Sequence, residues 1–336
     1  MFRSSGPRLL ALLAATTLVL AACSSKNAAG PTEQAGPGTW TSKASMPTAT
    51  GWPAPTAGVI NGILYVVGGT SVDGTGTALP TLQAYDPVSN TWTTKASMST
   101  GREGPAAGVI NGVLYVAGGV GSGGIGRADA IAALEAYNPV TDTWTTKAPM
   151  PTARAGGAAG VINGILFVVG GTSSSVTGGY ADLNSVEAYN PTTNTWATKA
   201  PMPTAGFGMA SAVINGILYV AGFSAASAAV EAYDPATDTW TTEAPMLTAR
   251  AGPTAGVING TLYVVGGFPA YPQVVTSLAT VEAYNPATNT WATKALMPTA
   301  RGTPAGGVVN GVLYVAGGGT ATSNDKGVGR VEAFTP

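Results

Sequence analysis

Four arginines recur at one place in a repeated segment and are the first candidates for a binding site. Each follows Met-x-Thr-x, and together they are Arg102, Arg154, Arg250 and Arg301. A ring of guanidinium groups could bind a carboxylate, a sulfate or an acidic partner. The alternative is an ion pair within each repeat, because a glutamate recurs downstream, at Glu135, Glu187, Glu231, Glu282 and Glu332. We favour the ion pairs, since they require no ligand.

Two repeats test this interpretation. The first repeat has no arginine and carries Gln83 where the others have glutamate, as expected if the two residues form a pair. The fourth repeat has Glu231 but carries Gly206 in place of the arginine, which the pairing does not explain.

Residues suited to acid–base or metal chemistry are scarce. Glu103, beside Arg102, is the only carboxylate in the segments that join successive repeats. It is the one candidate general base, and a solvated side chain is the simpler interpretation. With no histidine and one cysteine, the chain cannot form a Ser-His-Asp triad, a histidine-ligated zinc or copper site or an intramolecular disulfide. We therefore expect no metal and no cofactor.

Aromatic residues form a second set of candidates, for stacking on a sugar ring or anchoring a partner. The stretch from Met46 to Val59 is 13 steps long, whereas the matching stretch of every other repeat is 11. The extra residues bring in Trp52, which takes the arginine position when the repeat is counted back from its first strand. The alternative is that Trp52 only fills space there. Further aromatic candidates are Phe207, Tyr180, Phe268 and Tyr271.

A six-fold repeat must position these residues. Asn-Gly pairs begin at residues 61, 111, 163, 215, 259 and 310, each between two apolar runs. Asn-Gly between such runs is the strongest short hairpin signal, because both central residues of the turn need positive φ. Each unit of about 50 residues therefore opens with a tight hairpin.

The remainder of each unit predicts two more strands. Most second strands end in Gly-Gly, with Gly222-Phe223 in the fourth unit. A tyrosine then precedes Asp-Pro or Asn-Pro, which is typical of a type I turn, and a strand with a tryptophan follows. Each unit thus reads as a four-stranded antiparallel meander.

These motifs, together with the Met-Pro-Thr-Ala-Arg segment, resemble the kelch repeat. The resemblance covers residues 38–336 and implies an all-β fold, a six-bladed kelch-type β-propeller. The last unit ends after its third strand, at residues 331–334, whereas the domain begins with an isolated fourth strand at residues 38–43. We therefore expect the N-terminal strand to complete the last blade and close the ring.

The candidates fall on one face of this predicted propeller. Connections of a meander alternate between the two ends of its strands, so the two short turns share one face. The longer connections between second and third strands, and the crossings between blades, share the other, called the loop face below. All variation in length occurs there, and loops on a rigid scaffold commonly carry function.

The first 37 residues predict targeting. Residues 1–22 combine two arginines with an uncharged apolar stretch of 14 residues, which is short for a membrane span and typical of a signal peptide. Leu20-Ala21-Ala22-Cys23 resembles a bacterial lipobox, and a plain signal peptide is the alternative. The resemblance implies lipidation of Cys23 and an extracytoplasmic, lipid-anchored location, at the outer membrane if the cell has one. Residues 23–37 read as the lipidated Cys and a flexible tether.

We expect a membrane-anchored binding module with a glycan or protein ligand on the loop face. A net charge of −1, from 15 basic and 16 acidic residues, argues against nucleic acid as a partner. One alternative, implied by similar propellers, is a metal-independent carbohydrate-active enzyme, sialic-acid mutarotase-like, using Arg102, Glu103 and Arg154. Copper-dependent sugar oxidation is excluded because the histidine ligands are missing. A structural or adhesive surface protein is the second alternative.

Overall fold

The computed structural model describes residues 38–51, 55–73, 75–121, 129–174, 180–224, 227–269, 276–320 and 327–336. These residues belong to one compact unit, Gly36–Pro336. The candidates Cys23, Trp52 and Tyr271 lie outside the described residues. Within the described part of the chain, no helix has the length and apolar character needed to span a membrane.

The described residues form 29 strands. The first fifteen are β1 (Thr39–Lys43), β2 (Thr50–Gly51), β3 (Thr56–Ile60), β4 (Ile63–Val67), β5 (Thr70–Ser71), β6 (Leu82–Asp86), β7 (Thr91–Lys95), β8 (Ala106–Ile110), β9 (Val113–Ala117), β10 (Leu134–Asn138), β11 (Thr143–Lys147), β12 (Ala158–Ile162), β13 (Ile165–Val169), β14 (Thr172–Ser174) and β15 (Tyr180–Asp182). The others are β16 (Val186–Asn190), β17 (Thr195–Lys199), β18 (Ala210–Ile214), β19 (Ile217–Ala221), β20 (Val230–Asp234), β21 (Thr239–Thr242), β22 (Thr254–Ile258), β23 (Thr261–Val265), β24 (Val281–Asn285), β25 (Thr290–Thr293), β26 (Ala305–Val309), β27 (Val312–Ala316), β28 (Gly327–Val328) and β29 (Val331–Thr335).

Six four-stranded antiparallel sheets form the blades of the propeller. Blades one to five have the orders β3-β4-β6-β7, β8-β9-β10-β11, β12-β13-β16-β17, β18-β19-β20-β21 and β22-β23-β24-β25. Blade six has the order β26-β27-β29-β1, so its outer strand comes from the N-terminal end of the domain. In that blade Trp40 pairs with Phe334 and Thr39 with Thr335. The predicted six-bladed fold and its closure by the N-terminal strand are confirmed.

The Asn-Gly pairs form the tight turns between the first two strands of each blade. Their asparagines have φ between 49° and 51°, in the left-handed region that asparagine and glycine reach at low cost. This requirement explains why the same dipeptide recurs in all six units.

The hydrophobic core lies between the blades. Six clusters of buried side chains each combine residues from two neighbouring blades. In the cluster between blades one and two, for example, Leu82 of blade one packs with Leu114 and Tyr137 of blade two. Both faces of every blade are therefore buried, which accounts for the low share of charged residues in the sequence.

Hydrogen bonds join the outer strands of neighbouring blades. The indole Nε1 of Trp92 donates to the carbonyl oxygen of Ala44 at 2.8 Å, and the amide of Ala44 donates to Asn90 Oδ1 at 2.9 Å. Asn90 Oδ1 also accepts from the hydroxyl of Tyr85 at 2.7 Å. The repeated tyrosine, tryptophan and Asp/Asn side chains thus tie each blade to the one before it.

Some connections on the loop face are more regular than the sequence predicts. β2 pairs with both β5 and β28 in a three-stranded sheet that joins segments next to blades one and six. The connection within blade three contains a hairpin, in which β14 pairs with β15. Loops were predicted for these stretches. Their two- and three-residue strands lack the alternating apolar pattern from which strands are predicted.

Candidate functional site

A channel of about 220 Å³ runs along the axis of the propeller. It is lined by the residues that begin the inner strand of each blade, most of them glycine, alanine or proline. The polar side chains in its wall are hydroxyls, on Thr56, Ser211, Thr254 and Thr303. A volume below the roughly 300–1,000 Å³ of common small-molecule sites suits water or a small group rather than a sugar ring or a folded partner.

A belt of backbone hydrogen bonds follows the channel at its loop-face end through the described residues of blades two to six. In blades three to six, the amide of one residue donates to the carbonyl oxygen of the matching residue one blade earlier, at 2.7–2.8 Å. The residues of this glycine belt are Gly104, Gly156, Gly208, Gly252 and Thr303. All five have positive φ, so the belt requires a left-handed backbone at every described position.

Thr303 is the exception to glycine in this belt. Its φ is 49°, a conformation in which a β-branched residue is strained. Its Oγ1 atom is buried without a hydrogen-bond partner, and its methyl group packs where a side chain at Gly252 would otherwise extend. The belt was not predicted, although the Gly-Pro, Gly-Gly, Gly-Met and Thr-Pro dipeptides of successive crossings align at its positions.

The four repeated arginines form ion pairs with the repeated glutamates. Their Nη2 atoms lie 2.5–3.1 Å from a glutamate oxygen, in the pairs Arg102–Glu135, Arg154–Glu187, Arg250–Glu282 and Arg301–Glu332. The arginine side chains are at most 1% exposed. The pairing that we favoured is therefore confirmed, and the guanidinium groups do not present an open ring to an anionic ligand.

Each guanidinium also satisfies backbone carbonyls. Arg102 Nη1 donates to the carbonyl oxygens of Gly118 at 3.2 Å and Ala133 at 2.9 Å. Burial lowers the pKa of Arg102, and the charge and hydrogen bond of Glu135 act in the opposite direction. The arginine thus fastens the end of strand β9 to the start of β10, which is a structural role within one blade.

Blade four replaces this arrangement with an apolar one. Phe223 takes the place of the second glycine of Gly-Gly and is 2% exposed. A Cβ atom added at Gly206 would lie 3.0 Å from Phe223 Cδ1, so the ring occupies the space where the arginine of the other blades begins. The two departures from the repeat, Gly206 and Phe223, therefore compensate each other.

The exchange leaves Glu231 without a cationic partner among the described residues. Glu231 is 2% exposed, and its Oε2 atom is buried without a hydrogen bond. Burial raises the pKa of Glu231, and hydrogen bonds from the hydroxyl and amide of Thr204 oppose the shift only in part.

In blade one the arginine position is held by Thr50. The prediction that Trp52 takes this position is wrong. A Cβ atom added at Gly69 would lie 3.2 Å from Thr50 Cβ. The matching distance in blade two, from Gly119 to Arg102 Cβ, is also 3.2 Å. Thr50 therefore holds the arginine position, and the two extra residues follow it. A count from the inner strand cannot show on which side of the anchor an insertion falls.

Gln83 serves in blade one as the neutral counterpart of the glutamates. Its Oε1 atom accepts from the amide of Thr48 at 2.8 Å, and its Nε2 atom donates to the carbonyl oxygen of Thr48 at 3.1 Å. The first blade thus keeps the contact to the incoming crossing but has no buried charge at this place, which agrees with the sequence interpretation.

Glu103 lies at the loop-face end of the channel. Its backbone pairs with Val120, with N···O distances of 3.0 and 2.8 Å, and the next residue, Gly104, belongs to the glycine belt. Glu103 is 5% exposed, so it is not the solvated side chain that the sequence suggested. Burial raises its pKa, and a hydrogen bond from the Thr70 side chain lowers it.

The described aromatic candidates do not form one patch. Phe207 is half-buried, and its Cβ lies 3.3 Å from where a Cβ at Gly156 would be. Phe268 is 5% exposed, and its ring covers Gly302, so it fills the seam between blades five and six instead of widening a binding surface. Tyr180, on β15, is 58% exposed and is available to a partner.

Acid–base chemistry has little support in this arrangement. Arg102 and Arg154, two of the three residues expected to serve a metal-independent enzyme, are held in buried ion pairs. Only Glu103 remains beside the channel. In the part of the chain that the structure describes, no group of three or more His, Cys, Asp or Glu residues could hold a metal ion.

Comparisons with known proteins agree with the architecture. The KLHDC2/KLHL20/DRC7 Kelch-repeats domain matches residues 54–267, and the Kelch motif matches residues 249–297. The chain is similar to Kelch-like protein terF of Aspergillus terreus, at 33% identity over 192 residues, 55% of this chain and 41% of that protein. It is also similar to Kelch-like ECH-associated protein 1B of Danio rerio, at 35% identity over 95 residues, 28% of this chain and 16% of that protein.

A solved structure, that of YjhT, has the same fold. It covers 87% of this chain and 97% of its own, with a TM-score of 0.73 and 20% sequence identity. At this identity the likeness concerns the fold. The chain spans less than half the length of the two curated relatives named above.

Proposed function

The chain belongs to the kelch-repeat family, and on this premise we propose that it is a binding module whose partner is a protein that docks on the loop face. Kelch propellers generally bind protein partners. One observation about this chain supports the loop face as the binding surface. The strands that break the six-fold repeat, β2, β5, β14, β15 and β28, all lie on the loop face.

The opposite face supports the same choice by its uniformity. Its turns between first and second strands all consist of Asn-Gly, and their geometry is explained by the blade alone. A surface built from the same recurring turns offers a partner few features that distinguish one blade from another. The loop face differs from blade to blade, and its connections rest on a rigid scaffold.

A protein partner fits this surface better than a small ligand held in the channel. The channel offers about 220 Å³ and hydroxyl groups, while the four guanidinium groups that could bind the acidic group of a sugar are held in ion pairs. A glycan bound across the outer loops is the alternative outcome of the experiment below.

Site-specific cross-linking tests the proposed face. p-Benzoylphenylalanine is introduced either at Tyr180, 58% exposed on the loop face, or at Val88, 91% exposed on the opposite face. In cells that produce the chain, we expect a defined protein adduct from position 180 and none from position 88. Adducts only from position 88 would contradict the proposed face. A glycan array that retains the chain, with no adduct from either position, would support the glycan alternative.

We also propose that the propeller is lipid-anchored outside the cytoplasmic membrane through Cys23. The support is the signal-like segment 1–22 and the position of the single cysteine directly after Leu-Ala-Ala. Cells fed an alkyne-tagged fatty acid should incorporate the tag into the wild-type chain and not into Cys23→Ala. Equal labelling of both chains would exclude this anchor, and the binding proposal would stand without it.

A further inference from the structure

Blade four is fastened differently from other blades where its second strand ends and its third begins. In blades two, three, five and six, the arginine Nη1 atom donates to two backbone carbonyls, at 2.7–3.2 Å. One carbonyl belongs to the first glycine of Gly-Gly and the other to the residue two before the glutamate. The matching residues of blade four, Gly222 and Ala229, form the junction of blade four, and Gly206 has no side chain to bridge them.

The backbone hydrogen bond that closes this junction is long. The amide of Gly222 donates to the carbonyl oxygen of Ala229 at 3.4 Å, whereas the matching bond of the other five blades measures 2.9–3.1 Å. Blade one also lacks the arginine, yet its bond is 3.0 Å. The missing arginine is therefore not sufficient to lengthen the bond. The two blades differ in charge, because blade one has the neutral Gln83 at the position of Glu231.

The carboxyl group of Glu231 lies in surroundings that favour its neutral form. Its Oε2 atom is buried without a hydrogen bond, and its neighbours on the adjoining strands are Val220 and Thr242. Burial raises its pKa, hydrogen bonds from Thr204 lower it in part, and none of the described charged groups acts on it. The charged side chains on the surrounding elements are engaged elsewhere, in the contacts Ser224–Asp182, Tyr284–Glu243, Arg250–Glu282 and Lys199–Asp238.

The junction of blade four borders the exposed strand β15. Ser224, two residues after Gly222, donates from its hydroxyl to Asp182 Oδ2 at 2.7 Å, and Asp182 shares β15 with Tyr180. A change at the junction therefore alters the loop face beside Tyr180. An ordered junction also lowers the entropic cost of docking a partner there.

We propose that Glu231 regulates the loop face by gaining and losing a proton. With a neutral carboxyl group the junction stays closed and Ser224 stays bound to β15. With an ionised carboxylate the junction opens locally, because opening returns the charge to water. Since the closed junction favours the protonated form, its stability is complete below the ordinary glutamate range and is lost as the pH rises above it. Building on the protein-binding function above, the partner binds more tightly in mildly acidic than in mildly alkaline surroundings.

Hydrogen exchange at the Gly222 amide tests the opening without any partner. Protection factors, which remove the intrinsic pH dependence of exchange, are measured between pH 5 and pH 8 at single-residue resolution. In the wild-type chain we expect protection at Gly222 to fall about tenfold over this range. Protection at the matching Gly266 of blade five, where Arg250 bridges the carbonyls, should stay constant. Glu231→Gln should keep protection at Gly222 constant as well.

A second variant gives blade four the arrangement of the other blades. Gly206→Arg combined with Phe223→Gly supplies the guanidinium group that Glu231 lacks, and it should also remove the pH dependence at Gly222. Melting temperatures show whether each variant is folded. The same pH dependence at Gly222 in wild type and Glu231→Gln, or an equal loss of protection at Gly266, would overturn the inference.

Cross-linking separates this inference from the function on which it rests. In cell extracts adjusted to pH 6 or pH 8, p-benzoylphenylalanine at position 180 should give more adduct at pH 6 in the wild-type background and equal amounts in Glu231→Gln. Equal amounts in both backgrounds would refute the regulation and leave the loop face as the binding surface. The lack of a defined adduct at either pH would refute the binding proposal and its regulation, while exchange at Gly222 still decides whether the junction opens.

Discussion

Glu282→Gln is expected to lower the free energy of unfolding by about 3–5 kcal/mol, whereas the same substitution at Glu231 is expected to raise it. Glu282 Oε1 lies 2.6 Å from Arg250 Nη2, and both side chains are 0% exposed. An amide keeps the shape of the carboxylate but removes its charge. The buried guanidinium of Arg250 is then left uncompensated, which is the costly way to break such a pair.

Glu231 has no cationic partner among the described residues, because blade four has Gly206 and Phe223 where the other blades have an arginine. Replacing a buried carboxylate that lacks a cation removes the cost of keeping it charged, and we expect a gain on the order of 1 kcal/mol at pH 7. Since burial raises the pKa of Glu231 in the folded chain, the unfolded chain ionises first as the pH rises. Wild type therefore loses stability relative to Glu231→Gln above the ordinary glutamate range.

Guanidinium chloride unfolding between pH 4 and pH 8 measures both effects through the transition midpoints. The advantage of Glu231→Gln should shrink towards pH 4, where the carboxylate is protonated in the folded chain and mostly protonated in the unfolded chain. A loss of stability in both variants, of similar size, would show that the amide disturbs the blade for reasons other than charge.

Gly267→Ala is expected to cost about 3 kcal/mol or more, and Gly260→Ala about 1 kcal/mol. Both glycines belong to blade five and have positive φ, 103° and 74°. A Cβ at Gly267 would lie 2.8 Å from the carbonyl oxygen of Ala251, whereas a Cβ at Gly260 would meet nothing within 4 Å. The control thus carries the cost of a positive φ without a clash.

The clash at Gly267 cannot be relieved by a small shift. The Ala251 carbonyl already accepts a hydrogen bond from the Phe268 amide at 2.8 Å, and the Gly267 amide donates to Arg301 of blade six at 2.9 Å. Any movement therefore loosens the seam between two blades. Thermal unfolding at one scan rate compares the melting temperatures of Gly267→Ala and Gly260→Ala. Equal melting temperatures would mean that the contact between blades five and six adapts to the added methyl group at little cost.

Sequence reasoning recovered the features that repeat and failed where a single blade departs from the pattern. The ion pairs could be predicted because Arg250 and Glu282 recur together in other units, while the fourth unit showed only that Glu231 had no partner. Only the structure shows that the Phe223 ring fills the space of the missing arginine, because Gly206 and Phe223 are far apart along the chain. Trp52 was assigned to the arginine position because the sequence does not show whether the two extra residues come before or after that position.

The candidate site was less predictable than the fold for a related reason. Whether an arginine points to solvent or into its own blade depends on side-chain direction, which the spacing of Arg102 or Arg154 does not encode. The burial of Glu103 follows from its backbone pairing with Val120, a contact between two connections of different length. Such contacts leave no periodic signal.

Closure of blade six by β1 has a consequence for the order in which the chain can fold. Thr39 pairs with Thr335, so the first strand of the propeller waits for the last strand to be made. Until then, the outer edge of β29 has no partner and the sixth blade has three strands. Contacts of such long sequence separation form slowly, and a partly synthesised ring exposes unpaired strand edges to aggregation. The ring can therefore be completed only after the last strand of the propeller has been made, whichever compartment it folds in.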